Sequence, residues 1–333
     1  MERDIERKLV AILRILSNSN EALGARIISR KLEDEGIHLT ERAVRFHLQI
    51  MDERELTRIV GKHGRAGRLI TKKGREELEN ALVSDKVGMI SSRMDGLSYK
   101  TDLDIQTKQG NIILNVSLIP KNDFSQALDI IEEIFNSNIC VGPLVKIANE
   151  GEMLGKLNVP KGFHALGTIC SVTISGILLH HRIPVKSRFG GILQVYNYNP
   201  MRFTEIIEYA STSLDPAEIF IKGKMTSVLN TARNGSGKVL ASFREIPVAC
   251  LREAEKILQR LSEIGLCGTM IIGEPNQPIL QIPVSNGYVG LVILAGLNPL
   301  AAVEEAKIDT INTSLCDMMD FSELHPLKTD SSK

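Results

Sequence analysis

The sequence predicts a mixed α/β (α+β) protein in two parts: an N-terminal winged helix-turn-helix, then a larger α/β domain of two pseudo-repeated halves. Three observations carry this. Before Val83 there are three amphipathic helical patterns and a glycine-punctuated pair of short strands. Beyond Val83 the apolar runs lengthen and acids slightly outnumber bases. Within that second part a strand–helix–strand pattern occurs twice.

The first helix is expected from Ile5 to Leu16, with Leu9, Ile12, Leu13 and Leu16 on one face. A second runs from Ala25 to Glu35 and stops at Gly36. The third opens on Thr40, a good N-cap, and places Val44, Leu48 and Met51 at i, i+4 and i+7 as a buried stripe. Glu41, Arg42, Arg45 and Gln49 then occupy the opposite face, with the charge and amide chemistry that reads base edges in a major groove. Thr57-Arg58-Ile59-Val60 and Arg68-Leu69-Ile70-Thr71 alternate as two strands. Gly61, Gly64 and Gly67 punctuate the loop between them, which carries Lys62, His63 and Arg65, so the hairpin has a flexible cationic tip. From Arg42 to Arg75 ten Lys/Arg face three acids, in a chain of zero formal net charge. Segregation of this kind suits a phosphate backbone. The candidate DNA-binding residues are therefore Thr40, Glu41, Arg42, Arg45 and Gln49 on the helix, with Lys62, His63, Arg65 and Arg68 on the wing. Two other readings stand beside it: the basic residues solvate a small domain, or the winged helix docks a protein partner.

Residues 1–83 are read as the winged helix, 84–110 as a connecting helix and joint, and 111–324 as the larger domain. Residues 325–333 are read as a disordered tail. The first copy of the repeat is strand Asn111–Pro120, a helix from Phe124 to Asn136 and strand Val141–Ala148. The second is strand Gly237–Pro247, a helix from Leu251 to Ile264 and strand Cys267–Ile272. Both first strands end in Ile-Pro, and each copy continues into a glycine-bearing apolar segment, Gly162–Leu179 and Gly287–Leu300. A true repeat predicts two halves related by a pseudo-dyad, with a cleft or partner surface between them.

Several functions are disfavoured. No apolar run reaches the ~18 residues of a membrane span, and Met1-Glu2-Arg3-Asp4 begins no signal peptide, so a cytoplasmic protein is expected. The five cysteines are odd in number, widely spaced and without a C-x-x-C pair, which fits reduced buried thiols and no metal. Tryptophan is absent and aromatics are 4%, against a base-stacking platform. Gly235-Ser236-Gly237-Lys238 fails as a phosphate loop, because Ala232 stands where the first glycine belongs and Val239 where the hydroxyl belongs. His180-His181 diverge on any regular element, Asp215-Pro216 starts a turn or helix, and Arg244-Glu245 is an internal ion pair or an interface feature. No catalytic or nucleotide-binding constellation remains, so no catalytic residue or cofactor is assigned.

The chain resembles the NrpR family of nitrogen-responsive transcriptional repressors of methanogenic archaea, from about Ile5 to about Asp320. The residues that carry the likeness are Gly167-Thr168-Ile169-Cys170-Ser171-Val172-Thr173 with Gly176-Ile177-Leu178-Leu179, Arg188-Phe189-Gly190-Gly191, Thr212-Ser213-Leu214-Asp215-Pro216 and Phe243-Arg244-Glu245-Ile246-Pro247. The resemblance implies one regulatory domain after the winged helix, working as a homodimer on an inverted-repeat operator or with a second regulatory polypeptide. It also implies repression of nitrogen-assimilation genes, relieved by 2-oxoglutarate. A dicarboxylate needs cationic or amide donors in a pocket that sheds water. Residue chemistry nominates Thr168, Cys170, Ser171, Ser187, Arg188, Gly190 and Gly191, with Arg188 as the carboxylate fork and the glycine amides beside it. The competing reading makes both segments tight turns, with Arg188 bridged to a nearby acid. An RNA-associated winged-helix protein and a metabolite-binding domain that docks partners are the alternative functions.

Overall fold

The computed structural model describes residues 2–19, 21–61, 67–80 and 87–327. Residues 1–86 and 87–333 form two compact units. The first comprises α1 (Glu2–Ser17), α2 (Ala25–Asp34), α3 (Glu41–Glu53), β1 (Thr57–Val60), β2 (Gly67–Ile70) and α4 (Lys72–Glu79). Leu9, Ile12, Leu13 and Leu16 of α1 meet Ile28, Leu32, Val44, Leu48 and Met51 in one core. The Thr40 hydroxyl accepts a hydrogen bond from the Ala43 N–H at 3.3 Å and so caps α3. β1 and β2 pair antiparallel, with Thr57 opposite Ile70 and Val60 opposite Gly67. Leu23 adds a bridge to Arg68 through two backbone hydrogen bonds of 3.0 and 2.8 Å. A Cβ on Gly67 would stand 2.7 Å from the Ala22 carbonyl, so that bridge requires glycine there.

The second unit contains α5 (Met89–Lys100), β3 (Asn111–Pro120), α6 (Phe124–Asn136), β4 (Leu144–Ala148), a small hairpin of β5 (Met153–Leu154) and β6 (Leu157–Asn158), β7 (Phe163–Ile169) and α7 (Val172–His180). It continues with β8 (Lys186–Tyr196), β9 (Asn199–Glu208), α8 (Pro216–Lys222), α9 (Val228–Asn234), β10 (Gly237–Pro247), α10 (Leu251–Glu263), β11 (Thr269–Ile272), β12 (Tyr288–Leu294), α11 (Asn298–Glu305), β13 (Ile311–Asp320) and β14 (His325–Pro326). Two features depart from expectation. Residues 89–100 are not a connector: Ile90, Met94 and Leu97 pack on Ile113, Cys170, Val172, Tyr209 and Leu315 within this unit. The tail is ordered through β14, which pairs with β4, and residues 328–333 lie outside the described ones.

Two five-stranded antiparallel sheets have the orders β13-β3-β7-β4-β14 and β11-β12-β10-β8-β9. Matching the repeats sets β3, α6, β4, β7, α7 and β8 of one half against β10, α10, β11, β12, α11 and β13 of the other. The last strand of each set crosses over: β8 pairs with β10, and β13 pairs with β3. Each half thus completes the other's sheet. The cores follow suit. One gathers Ile131 and Ile134 of α6 with Val239, Ala241, Phe243, Leu300 and Val303. The other gathers Leu114, Val116, Ile174 and Ile177 with Ile257, Leu261, Leu291 and Ile293.

Equivalent polar side chains fasten each second helix to its sheet. The Thr173 hydroxyl accepts from the Ile113 N–H at 3.0 Å and donates to the Ile113 carbonyl at 3.3 Å. Asn298, also buried, accepts from the Leu240 N–H at 2.8 Å and donates to the Leu240 carbonyl at 3.0 Å. Removing one side of such a pair strands buried backbone groups at roughly 1–3 kcal/mol each. Asn298→Ala should therefore lower stability by about 2–3 kcal/mol, read as a shift in the urea midpoint. An unmoved midpoint would show that water replaces the side chain and that the clasp is dispensable.

Candidate nucleic-acid interface and effector cavity

Helix α3 turns Val44, His47, Leu48 and Met51 inward. The sequence stripe omitted His47, whose polar ring gives no apolar signal. Arg42, Arg45, Phe46 and Gln49 are exposed and fall at i, i+3, i+4 and i+7, one continuous outward stripe. Arg45 is ion-paired to Glu41, and Gln49 donates to Glu53 at 3.2 Å. Arg42 has no ion-pair or hydrogen-bond partner among the described residues. Thr40 is spent on the helix cap. Phe46, 57% exposed, was not a sequence candidate; beside two arginines it offers apolar contact to a thymine methyl. Lys62, His63 and Arg65 lie outside the described residues. Arg68 is a correction. Its Nε and Nη2 donate to Asp52 at 3.2 and 3.1 Å in a half-buried bridge that ties the hairpin to α3, so its charge is committed to the fold.

In the second unit a cavity sits where the two halves meet. Its lining follows the repeat: Asn115 of β3 answers Ser242 of β10, and Cys170-Ser171-Val172 answer Ala295-Gly296-Leu297. Gly190 and Gly191 of β8, Ser314 of β13, Met94, Tyr209 and Asp215 complete most of the wall. The space open to the centres of water molecules is about 30 Å³, room for roughly two of them. Four of the seven nominated effector residues, Cys170, Ser171, Gly190 and Gly191, line it; Thr168, Ser187 and Arg188 do not.

The exceptions have physical causes. Residues 186–191 are not a turn but the start of β8, a strand paired on both sides, so the glycine amides serve the ladder. What these glycines supply is space: a Cβ on Gly190 would lie 2.8 Å from Pro216 Cβ and 3.0 Å from the Tyr209 hydroxyl. Arg188 is no free carboxylate fork. Its Nη1 donates to Glu245 at 2.9 Å, and Glu245 also accepts from the Ser285 N–H at 2.8 Å and the Ser285 hydroxyl at 2.9 Å. Burial alone would push the Glu245 carboxyl up, but the Ser285 and Arg188 bonds together hold it below its ordinary value. Ser187 stands opposite Arg244 in the β8–β10 register. Thr168 is buried on β7 opposite Asn115, and its hydroxyl finds no partner among the described residues.

The cation behind this cavity is Arg244, not Arg188. It is 0% exposed and forms no salt bridge among the described residues. Nη1 donates to the Ser171 carbonyl at 2.9 Å and to the Ser175 hydroxyl at 2.5 Å, and Nη2 donates to the Ser171 hydroxyl at 2.9 Å. Nε has no partner. Burial lowers the Arg244 pKa, pushes the Cys170 thiol up to about 12 and raises Tyr209, so these two groups stay neutral beside it and neither hands it a paired charge. The N-terminal ends of α7 and α11 also abut the cavity, through Val172 and the N-cap Leu297, and helix N-termini carry partial positive charge. Guanidinium and dipoles together favour an anion. Pairwise sequence patterning missed Arg244 because its partners lie some seventy positions away; its place in the Arg-Glu doublet was the only signal.

Asp215 is the acid of this wall. It caps α8 by accepting from the Ala217 N–H at 2.8 Å, and burial raises its carboxyl from 3.8 to about 6. A raised folded-state pKa contributes stability that is complete below the unfolded value and is lost as pH climbs through about 6. Asp215→Asn keeps the cap and removes the titration. The melting temperature of the variant minus that of the parent should therefore rise between about pH 4 and pH 7. A difference that stays flat over that window would place Asp215 in solvent.

Residues 87–326 match the family of NrpR regulatory domains NRD1 and 2, and residues 10–78 match the ribonuclease R winged-helix domain. Over 324 residues the chain is 36% identical to the global nitrogen regulator NrpRI of Methanosarcina mazei, covering 97% of this chain and 99% of that protein. It is 33% identical to the global nitrogen regulator NrpR of Methanocaldococcus jannaschii, across 98% of this chain but only 56% of that longer relative. A crystal structure of a nitrogen repressor-like protein from Methanococcus jannaschii superimposes with a TM-score of 0.62 at 28% identity, covering 73% of this chain and 99% of that one. The relatives carry the names of regulators, not of enzymes. No described helix is long and apolar enough to cross a membrane. With a winged helix at one end and NrpR regulatory sequence through the rest, the chain belongs to the NrpR family and is a nitrogen-responsive transcriptional regulator.

Proposed function

We propose that this regulator represses nitrogen-assimilation genes by binding an inverted-repeat operator as a homodimer, and that 2-oxoglutarate releases it. The observation that carries the DNA half is the α3 stripe of Arg42, Arg45, Phe46 and Gln49, capped at Thr40 and backed by a packed core. Arg42 and Arg45 suit guanine, Gln49 suits adenine and Phe46 suits a thymine methyl. Lys62, His63 and Arg65 supply charge for the phosphate backbone.

The effector half rests on the cavity shared by the two halves. A dicarboxylate there gains from the Arg244 charge and from two helix N-termini. Space for about two waters is too small for it, so the ligand favours a state in which the halves have moved apart. A ligand that binds the opened state more tightly shifts the population toward it, and a differential of a few kcal/mol suffices for a useful switch.

The likeness of residues 10–78 to a ribonuclease winged helix keeps RNA in view as the second reading. Anisotropy with an inverted-repeat duplex, at fixed salt and with duplex RNA as competitor, separates the two. Sequence-selective DNA binding that weakens with 2-oxoglutarate is the expected result. Binding to RNA alone would overturn the reading.

Arg42→Ala and Arg45→Ala should each cost about 1–3 kcal/mol on the operator and relax its sequence preference. Lys62→Ala should weaken all sequences alike and reduce the salt dependence. Identical effects of the helix and wing changes on every duplex would sink the groove assignment. Gly190→Ala, which crowds the cavity against Pro216 and Tyr209, should leave operator binding intact and abolish the 2-oxoglutarate response. A normal response in that variant would move the effector elsewhere.

A further inference from the structure

The repeat brings two cysteines together. Cys140 and Cys267 are 127 residues apart, the interval that also separates Pro120 from Pro247, so each occupies the same place in its half. Cys140 follows α6 and Cys267 follows α10. Their loops lie backbone against backbone. The Cys267 N–H donates to the Val141 carbonyl at 2.9 Å, and a Cβ on Gly268 would stand 3.0 Å from Val141 Cα. On the other side, a Cβ on Gly142 would stand 2.8 Å from the Gly265 carbonyl. Both cysteines are free, and the backbone contacts of their loops bring the two thiols close enough for each to shift the other's ionisation.

The two sulfurs differ in surroundings. Cys140 is 1% exposed, whereas Cys267 is half-buried and its Sγ also reaches the Asn138 amide oxygen at 4.0 Å. An oxidant in solution meets Cys267 first. The neighbouring Cys140 thiol is the largest influence on Cys267 and lowers its pKa, which favours the nucleophilic thiolate there. The same contact, with burial, pushes Cys140 well up.

We propose that Cys140 and Cys267 form a reversible disulfide across the pseudo-dyad, a redox-sensitive staple that fixes the two halves of the regulatory domain to each other. With a hydroperoxide as oxidant, the Cys267 thiolate attacks the terminal oxygen. The O–O bond breaks, leaving a sulfenic acid on Cys267 and releasing the other oxygen, once protonated, as water or alcohol. Cys140 Sγ then attacks the Cys267 sulfur, the S–S bond forms, and hydroxide leaves with the Cys140 proton as water. Two thiols have lost two electrons and two protons to one peroxide. A dithiol reverses the step by exchange. The other cysteines have different surroundings: Cys170 lies in the wall of the cavity, and Cys250 and Cys316 have no thiol partner among the described residues.

The test uses the full chain treated with hydrogen peroxide and analysed by intact mass and by non-reducing peptide mapping. The expected product is about two mass units lighter, carries a single Cys140–Cys267 linkage, melts at a higher temperature than the reduced protein, and returns to it with dithiothreitol. In Cys140→Ser the attack stops halfway, so dimedone should label Cys267; Cys267→Ser should give neither label nor linkage at that site. Because the parent's peptide map decides the linkage, a variant that fails to fold does not shield the idea. Oxidation without a 140–267 linkage, a linkage that leaves the melting temperature unchanged, or dimedone labelling spread evenly over the cysteines would overturn it. None of these outcomes depends on the identity of the effector.

Discussion

Everything in the regulatory unit depends on the reciprocal exchange of β8 and β13. A sheet buries its faces only if it is complete, and here each sheet is completed by a strand that belongs, by the repeat, to the other half. Neither half has a finished core alone, since Phe243 and Leu300 pack with Ile131 in one cluster while Leu114 and Val116 pack with Ile257 in the other. The crossing also sets where a shared site can form. Where the exchanged strands pass the axis, Gly190 and Gly191 from one and Ser314 from the other come to a single cavity.

On the proposed effector reading, that placement would let one small molecule act on the whole domain. A pocket within one half would bind its ligand without moving the other. This one is walled by Asn115, Cys170 and Ser171 from one half and by Ser242, Ala295 and Gly296 from the other, so any change in its width changes the relation between the halves. Close-packed interfaces tend to switch between discrete arrangements instead of deforming gradually. A Cβ on Gly296 would stand 2.0 Å from the Ile169 carbonyl, so the two halves meet backbone to backbone at that point.

Local pattern was legible in the sequence; long-range commitment was not. Thr40, Val44, Leu48 and Met51 announced α3 because a cap and a helical stripe are properties of a dozen consecutive residues. The Ile-Pro ends of β3 and β10, with a helix after each, announced the repeat for the same reason. The exchange of β8 and β13 has no local signature, since a strand reads alike whichever sheet receives it. Arg68 and Arg188 looked like free cations only because Asp52 and Glu245, which claim them, stand 16 and 57 positions away. Asp215-Pro216 signals a turn or helix start, and a helix begins there, yet its place in the cavity wall depends on a fold that brings it to Gly190.

Arg244 shows what the fold gives up for the site. A buried guanidinium normally recovers its desolvation from a carboxylate, and two partially charged hydroxyls and a carbonyl recover less. Glu245 is adjacent in sequence but points to the opposite face of β10, where Arg188 holds it, so the strand's own alternation denies Arg244 its nearest acid. The neighbouring acids are pushed toward neutrality by the same burial. The ligand-free fold is therefore held below the stability it would have with this charge compensated, and in the proposed switch an anion bound beside it recovers part of the difference. Binding of this kind is favourable because the empty site is unfavourable. In the proposed switch the cavity widens to admit the anion, and that recovered energy is what would separate the halves.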